Sequence, residues 1–395
     1  MSFDIALTGL RAVNEQLNTI SHNIANNGTV GFKSSRVDFA SIYADAQPMG
    51  VEVVGKTQSI TLGGALTSTN RSLDLAISGG GFFIVRGSSG DVSYTRAGVF
   101  GLDKDNYIVN SQGQRLQGYP TDSSGNIQAG SVTDLRLRSA NLPAKATDSL
   151  EFVANLNADE DVVTAGPFDP ANPATYNSTY TTQVFDSLGR EHALTQYFVK
   201  TNDNEWQVHY YVDGVAVGGP HTLTFNSDGV LDTGHTLALN FTPLGGASAM
   251  NIDVDYSGTT QFGAGFAVTT NRASGYAAGE QTGIVVEEDG RVFVSYSNGQ
   301  RLLQGQVALA TFANPNGLKN VSGTAWVETE ASGVALIGSP GIGQFGIINA
   351  GALENSNVDL TQQLVLLMEG QRNYQANTKV IATEKELTQI LFSAV

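Results

Sequence analysis

Few residues in this chain of 395 could do chemistry, and each candidate has a plainer role beside it. Gly341-Ile342-Gly343-Gln344-Phe345-Gly346 spells the glycine spacing of a dinucleotide-binding loop. That chemistry needs a strand before the run, a helix opening directly after it, and an acid about 20 residues on. Here Pro340 precedes the run and Ile347-Ile348-Asn349-Ala350-Gly351 follows it, so the glycines read as a turn series. Asp253 and Asp255 lie two apart in a strand pattern, which puts both carboxylates on one side. A glycosidase needs such acids paired across a cleft; a solvated acidic strand face is the simpler account. Asp103-Lys104-Asp105-Asn106 starts like a calcium loop but lacks its glycine and its distant Glu, and reads as a turn. His22, His192, His209, His221 and His235 include no pair at metal-ligand spacing. The absence of Cys removes thiol catalysis, disulfides and Cys-based metal sites. No enzyme activity, cofactor or metal is expected.

Charge narrows the partners. Asp and Glu outnumber Lys and Arg by 37 to 21, for a net charge of -16. Such a chain is a poor partner for nucleic-acid phosphates or anionic membranes. Met1-Ser2-Phe3-Asp4 opens on an acid where a secretory signal carries basic residues. No run approaches the roughly 18 apolar residues of a membrane span. The expectation is a chain that does not insert into a membrane and is exported, if at all, without a cleaved signal.

With no catalytic set to position, the elements themselves carry the reading. Phe3, Ala6, Leu10, Val13, Leu17, Ile20 and Ile24 recur at spacings of three and four, an a/d seam that drives helices to coil around partners. Ser356-Asn357-Val358-Asp359 reads as the start of a second helix. Leu360, Leu364, Leu367, Tyr374 and Ile381 carry its seam, interrupted by the polar Gln371 and Thr378. Neither helix buries its stripe alone, so the two pack together or against neighbouring copies. Between them, short runs of strand formers such as Phe82-Phe83-Ile84-Val85 and Val292-Phe293-Val294-Ser295-Tyr296 are bounded by Asp-Gly and Asn-Gly turns. The fold class is mainly β with terminal α-helices: nested, discontinuous β domains on a helical, coiled-coil-forming base. The expected layout is an N-terminal helix at 1–32, a connecting segment at 33–70, an inner β domain at 71–145 and 284–352, an outer β domain at 146–283, and a C-terminal helix at 353–395.

Two stretches are more specific than periodicity. Ser21-His22-Asn23-Ile24-Ala25-Asn26-Asn27-Gly28-Thr29-Val30-Gly31-Phe32-Lys33 follows the first seam. Ala352 to Leu360, with Ser356, Asn357, Val358 and Asp359, leads into Gln371-Arg372-Asn373-Tyr374-Gln375-Ala376-Asn377. Together they resemble the paired terminal signatures of the bacterial flagellar rod and hook proteins. Gly80 to Val85 and Tyr94 to Phe100 resemble that family's inner β domain. The resemblance spans the whole chain, and the length and large β insertion are nearest to the hook-type members. It implies a structural subunit of the extracellular flagellum that assembles with itself into a helical homopolymer. Its terminal helices would line the tube, and the tube would serve as a flexible joint passing torque from rod to filament. The implied partners are the rod, the hook cap, the hook–filament junction proteins and the flagellar type III export apparatus. Alternatives are a distal rod subunit of the same family or a secreted all-β carbohydrate-binding protein or glycosidase.

Overall fold

The computed structural model describes residues 2–44, 47–122, 125–138 and 141–394. Helix α1 spans Ser2–Ala25 and helix α2 spans Leu360–Ala394. At the end of α1, the Asn26 amide still reaches the His22 carbonyl (3.2 Å) before the Asn26-Asn27-Gly28 turn breaks the helix. The cap of α2 is Asp359, whose Oδ1 accepts the Gln362 amide at 3.1 Å. Ser356, three residues earlier, instead accepts the Val358 amide and closes the turn that precedes the helix.

The chain divides into two compact units, one of 1–139, 283–295 and 301–395, the other of 140–282 and 296–300. In the first, strands β1 (Ser35–Ala44) and β2 (Gln47–Gln58) form a long antiparallel hairpin, with Ser35 opposite Gln58. The hairpin lies along α1: Thr8 accepts the Val51 amide at 3.3 Å, and Lys56 pairs with Glu15. A sheet follows, in which Lys319–Val321, Ala325–Val327, Val92–Thr95 and Phe82–Arg86 pair in succession. The far edge of Phe82–Arg86 is shared by Leu309–Thr311 and Arg115–Pro120. Phe82, Tyr94, Phe312 and Trp326 close edge-to-face beneath it as the core.

The second unit is two sheets around one core. Thr236–Phe241, Met250–Asp255, Ser149–Asn157 and Ala267–Ala273 form one sheet; Ser178–Phe185, Glu191–Asn202, Glu205–Val212 and His221–Phe225 form the other. Burial alternates along Ser149–Asn157 and Glu205–Val212, and Leu150, Phe152 and Leu156 share one core with Leu194, Phe198, Trp206 and Val208. Most buried polar groups in this core are paired: the Trp206 indole donates to Gln261 at 2.8 Å, and the Tyr210 and Tyr256 hydroxyls pair at 2.8 Å, whereas Gln196 Nε2 has no hydrogen-bond partner among the described residues.

One cluster in this unit titrates. Asp186 is fully buried at the turn after Ser178–Phe185 and accepts the Leu188 and Arg190 amides, with Arg190 Nε at 2.8 Å and His192 Nε2 at 3.3 Å. The other ring nitrogen of His192 lies 2.6 Å from Asp213. Burial opposes the charge on Asp186, but these donors hold its carboxyl well below the usual range. Burial likewise opposes charge on His192, and the two carboxylates outweigh it and raise its pKa. A raised imidazole adds stability that is complete below its ordinary value near 6.5 and is lost as pH rises through the raised value. A depressed carboxyl adds stability present above about pH 4 and lost below it. His209 in the same unit is lowered by burial and works in the opposite sense, so the His192 contribution is read by difference. Relative to wild type, His192→Gln is expected to lose more melting temperature near pH 5.5 than near pH 8. Thermal melts of both proteins at the two pH values check it.

Candidate functional site

The two helices run antiparallel. A Cβ built on Gly370 would stand 2.8 Å from Leu17 Cδ2, one on Gly9 would stand 3.0 Å from Asn377 Oδ1, and Asn23 Nδ2 donates to Gln363 Oε1 at 3.1 Å. On α1, the line Ala6, Val13, Ile20 is buried, together with Ala12, Thr19 and Asn23. Leu10, Leu17 and Ile24 are half-buried beside it.

On α2, the line turned towards α1 is Gln363, Gly370, Asn377, seven residues apart, and it is polar or small. Leu367 and Ile381 are half-buried, whereas Leu360, Leu364 and Tyr374 are exposed (41%, 45% and 39%). Val365, Met368, Ile390 and Phe392 are exposed as well, at 53%, 56%, 63% and 79%. Small residues let the helices approach closely, and many of the apolar side chains of α2 are left exposed.

The root of the helices is fastened to the β body by a buried knot of hydrogen bonds. Asn23, at the end of α1, donates to the Ser35 carbonyl (2.7 Å) and accepts the Ser35 amide (2.9 Å). Asn357, just before α2, accepts the Ser34 amide (2.7 Å) and donates to the Ser59 and Leu62 carbonyls (3.0 Å each). Each amide side chain thus mimics a strand neighbour for its segment. At the centre, Glu354 Oε1 accepts Lys33 Nζ at 2.6 Å and the Gly64 amide at 2.9 Å, while Oε2 faces Arg96 Nη1 at 3.2 Å. Lys33 Nζ also donates to the Leu62 carbonyl, and Arg96 Nη2 to the Gly79 carbonyl. All three charged side chains are at least 95% buried. Desolvation is the largest influence on both cations and lowers the Lys33 and Arg96 pKa values despite the carboxylate. The knot thus specifies geometry more than it adds net stability. A cavity of about 300 Å³ opens beside the knot and is lined by Arg96 and Glu354, and both oxygens of that carboxylate are already engaged by Lys33, the Gly64 amide and Arg96.

The backbone at the knot is as constrained as the charges. Gly31 has φ +71°, its amide donates to the Glu354 carbonyl at 2.8 Å, and a Cβ there would stand 2.5 Å from the Ala97 amide nitrogen. Gly31→Ala is expected to cost well over the roughly 1–2 kcal/mol of a left-handed residue, because the obstructing atoms are backbone. Denaturant titration of the full chain, read at a label on α1, checks it.

The other predicted residues fall around this core. Phe32 and Val358 are buried, and the Phe32 ring sits 5.4 Å from His22. Asn26 ties its side chain to the His22 carbonyl and to Thr29, and Ala25 is exposed at the helix end. Ser356 and Asp359 shape the entry to α2, while Gln371, Arg372 and Gln375 lie exposed along it. The turn 341–346 joins two strands, Leu336–Gly338 and Ile347–Ala350, and no helix follows it. Asp253 is exposed on the outer face of its strand. Asp255 accepts from Ser257 one turn on. Asp103 accepts the Asp105 and Tyr107 amides in a hairpin turn. Among the described residues no three His, Asp or Glu converge as a metal site, and no helix is long and apolar enough to cross a membrane.

Residues 76–151 match the family described as Flagellar hook protein FlgE/F/G D1 domain. Residues 155–276 match the Flagellar basal body protein FlaE D2 domain, and 349–393 the Flagellar basal body rod FlgEFG protein C-terminal family. The Flagellar hook protein FlgE of Salmonella typhimurium is 40% identical over 401 residues, covering 99% of both chains. That of Escherichia coli K12 is 40% identical over 402 residues, again with 99% of each covered. The counterpart in Borreliella burgdorferi is 30% identical over 432 residues, covering 98% of this chain and 97% of its own. Among solved structures, Helicobacter pylori flagellar hook protein FlgE2 aligns over 73% of this chain and 100% of its own with a TM-score of 0.58. At 13% identity it speaks to the fold alone.

Proposed function

The chain belongs to the flagellar hook protein family, and from that premise we propose that it is the subunit of a tubular, bendable joint of the bacterial flagellum, assembled from copies of itself. The observation that carries the reading is the outward apolar face of α2. A 35-residue helix that spends its small and polar line on its intrachain partner, and leaves Leu364, Val365, Met368, Ile390 and Phe392 exposed, is an interface awaiting other copies. The buried knot at Glu354 supplies the other requirement, a firm root that carries load between helices and β body. The reading includes no catalytic step. By family resemblance it places the protein at the rod on one side and at the cap and hook–filament junction proteins on the other, after passage through the flagellar export apparatus without a cleaved signal.

Leu364→Asp tests it. The side chain is 45% exposed in the single chain, so the variant folds normally. In the polymer the same carboxylate is desolvated, at a cost on the order of a few kcal/mol per contact. The expected result is a folded, monomeric protein with no hooks on electron micrographs and no swimming. Hooks of normal number and length from this variant would overturn the assignment.

A further inference from the structure

The longest stretch of the chain without Asp, Glu, Lys or Arg is 331–353. Within it, Leu336–Gly338 pairs with Leu309–Thr311 on one side, and among the described residues its other edge has no strand partner. Open edges ordinarily carry charge or a bulge, hold a proline, or are kept very short; this one carries no charge, and its protection is limited to its three-residue length and to Pro340 two positions on. Val334, Leu336, Ile337 and Ile342 are exposed at 76%, 50%, 46% and 66%. The turn after the strand folds back on it, with the Phe345 ring over Gly338 and Ile347 Cγ2 3.6 Å from where a Gly341 Cβ would stand. Strand and turn therefore make one neutral, apolar surface on a chain of net charge -16.

We propose that this surface, 334–347, is a docking site for a second copy of the chain, an inference that rests on the polymer reading above. Copies this acidic repel where their charged surfaces meet. The stretch 331–353 brings no like charges of its own to desolvate, the Glu328 carboxylate meeting it at the Ala335 amide, and the open edge supplies N–H and C=O groups for the contact. A nucleic acid or an anionic membrane would need cations that the stretch lacks.

Two variants of the full chain test this. Val334→Glu with Ile342→Glu changes only highly exposed positions, so its thermal melt matches wild type, while hooks per cell fall by about tenfold or more. The Ser/Ser pair at the same positions falls between. Ile342→Cys provides the sole thiol of the chain, and a benzophenone attached there is expected to capture a second copy within isolated hooks. Normal hook numbers from the Glu variant, or a label that captures no second copy, would overturn the docking site while leaving the polymer reading intact. A wild-type chain that forms no tube at all would remove that reading and this inference with it.

Discussion

Glu354→Ala is expected to detach the helical root from the β body while leaving the second unit folded. The substitution leaves the Lys33 ammonium and the Arg96 guanidinium buried with no carboxylate, and strands the Gly64 amide as well. Removing one partner of a buried ion network costs about 3–5 kcal/mol, because the remaining charge stays desolvated. Lys33 is already lowered by burial, so in the variant it sheds its proton or pulls free of its site. Glu354→Gln, which keeps an acceptor oxygen but not the charge, is expected to lose less. Adding Lys33→Met to Glu354→Gln should recover part of that loss, since the double variant removes one of the two unpaired cations and leaves only Arg96 without a carboxylate. Protease sensitivity of residues 1–65 and of α2 reads the detachment directly, and the melt of the second unit serves as internal reference. If both helices stay protected in Glu354→Ala, the knot is not what holds them.

The parts of this architecture that repeat locally were legible in the sequence, and the parts that close over long distances were not. The seam of α1 follows from spacing alone: Ala6, Val13 and Ile20 are buried as a heptad line, with Leu10, Leu17 and Ile24 beside them. The contact face of α2 does not follow in the same way. Apolar residues occur all round that helix, so spacing picks out a leucine line, while packing against α1 selects Gln363, Gly370 and Asn377. Close approach favours the smallest side chains, and a hydrophobic period gives them no weight.

The knot was half visible. Asn23, Lys33 and Asn357 stand in the signature segments, yet nothing in their spacing says what they bind. Lys33 and Glu354 are 321 positions apart, and Arg96 and Glu354 are 258 apart. A lysine directly after Gly31-Phe32 reads as surface charge until the backbone brings a glutamate to it. A usable signal was present in Tyr94 to Phe100, a strand end carrying an arginine beside Gly98. A Cβ on Gly98 would strike the Leu75 carbonyl, which shows how tightly the chain is drawn in behind that arginine. The β1–β2 hairpin was missed for a different reason. Its strands are mostly exposed or half-buried and rest on α1, so they lack the alternation that marks a strand with one buried face.

The other large effect concerns the second unit. Its two ends leave side by side: Asn141 and Leu142 pair antiparallel with Glu280 and Gly279, and Lys145 bridges Tyr276 further in. Residues 143–278 can therefore be replaced by Asn-Gly, which joins Leu142 to Gly279 as a two-residue hairpin whose turn suits strand twist. Closing so short a loop carries less entropy cost than closing the native one, which rises by about 0.6 kcal/mol per doubling of length. The excised segment holds its own core around Phe152, Phe198 and Trp206, so its removal opens no cavity among Phe82, Tyr94, Phe312 and Trp326 of the first unit. The shortened chain keeps both helices, the knot and the neutral edge at 334–347, which are the features assigned here to holding copies together. It is expected to be exported and to form tubes. The lost surface is the Gly-rich, turn-bounded β unit, whose contacts between copies would be polar and weak, able to shift as a joint turns. Tubes of the shortened chain should be straighter than wild type in electron micrographs, and cells making them should spread poorly in soft agar. If the shortened protein forms no tubes, polymerisation depends on the second unit. If its tubes bend as wild-type hooks do, curvature is set by the helices and first unit, and the weak outer contacts have no part in it.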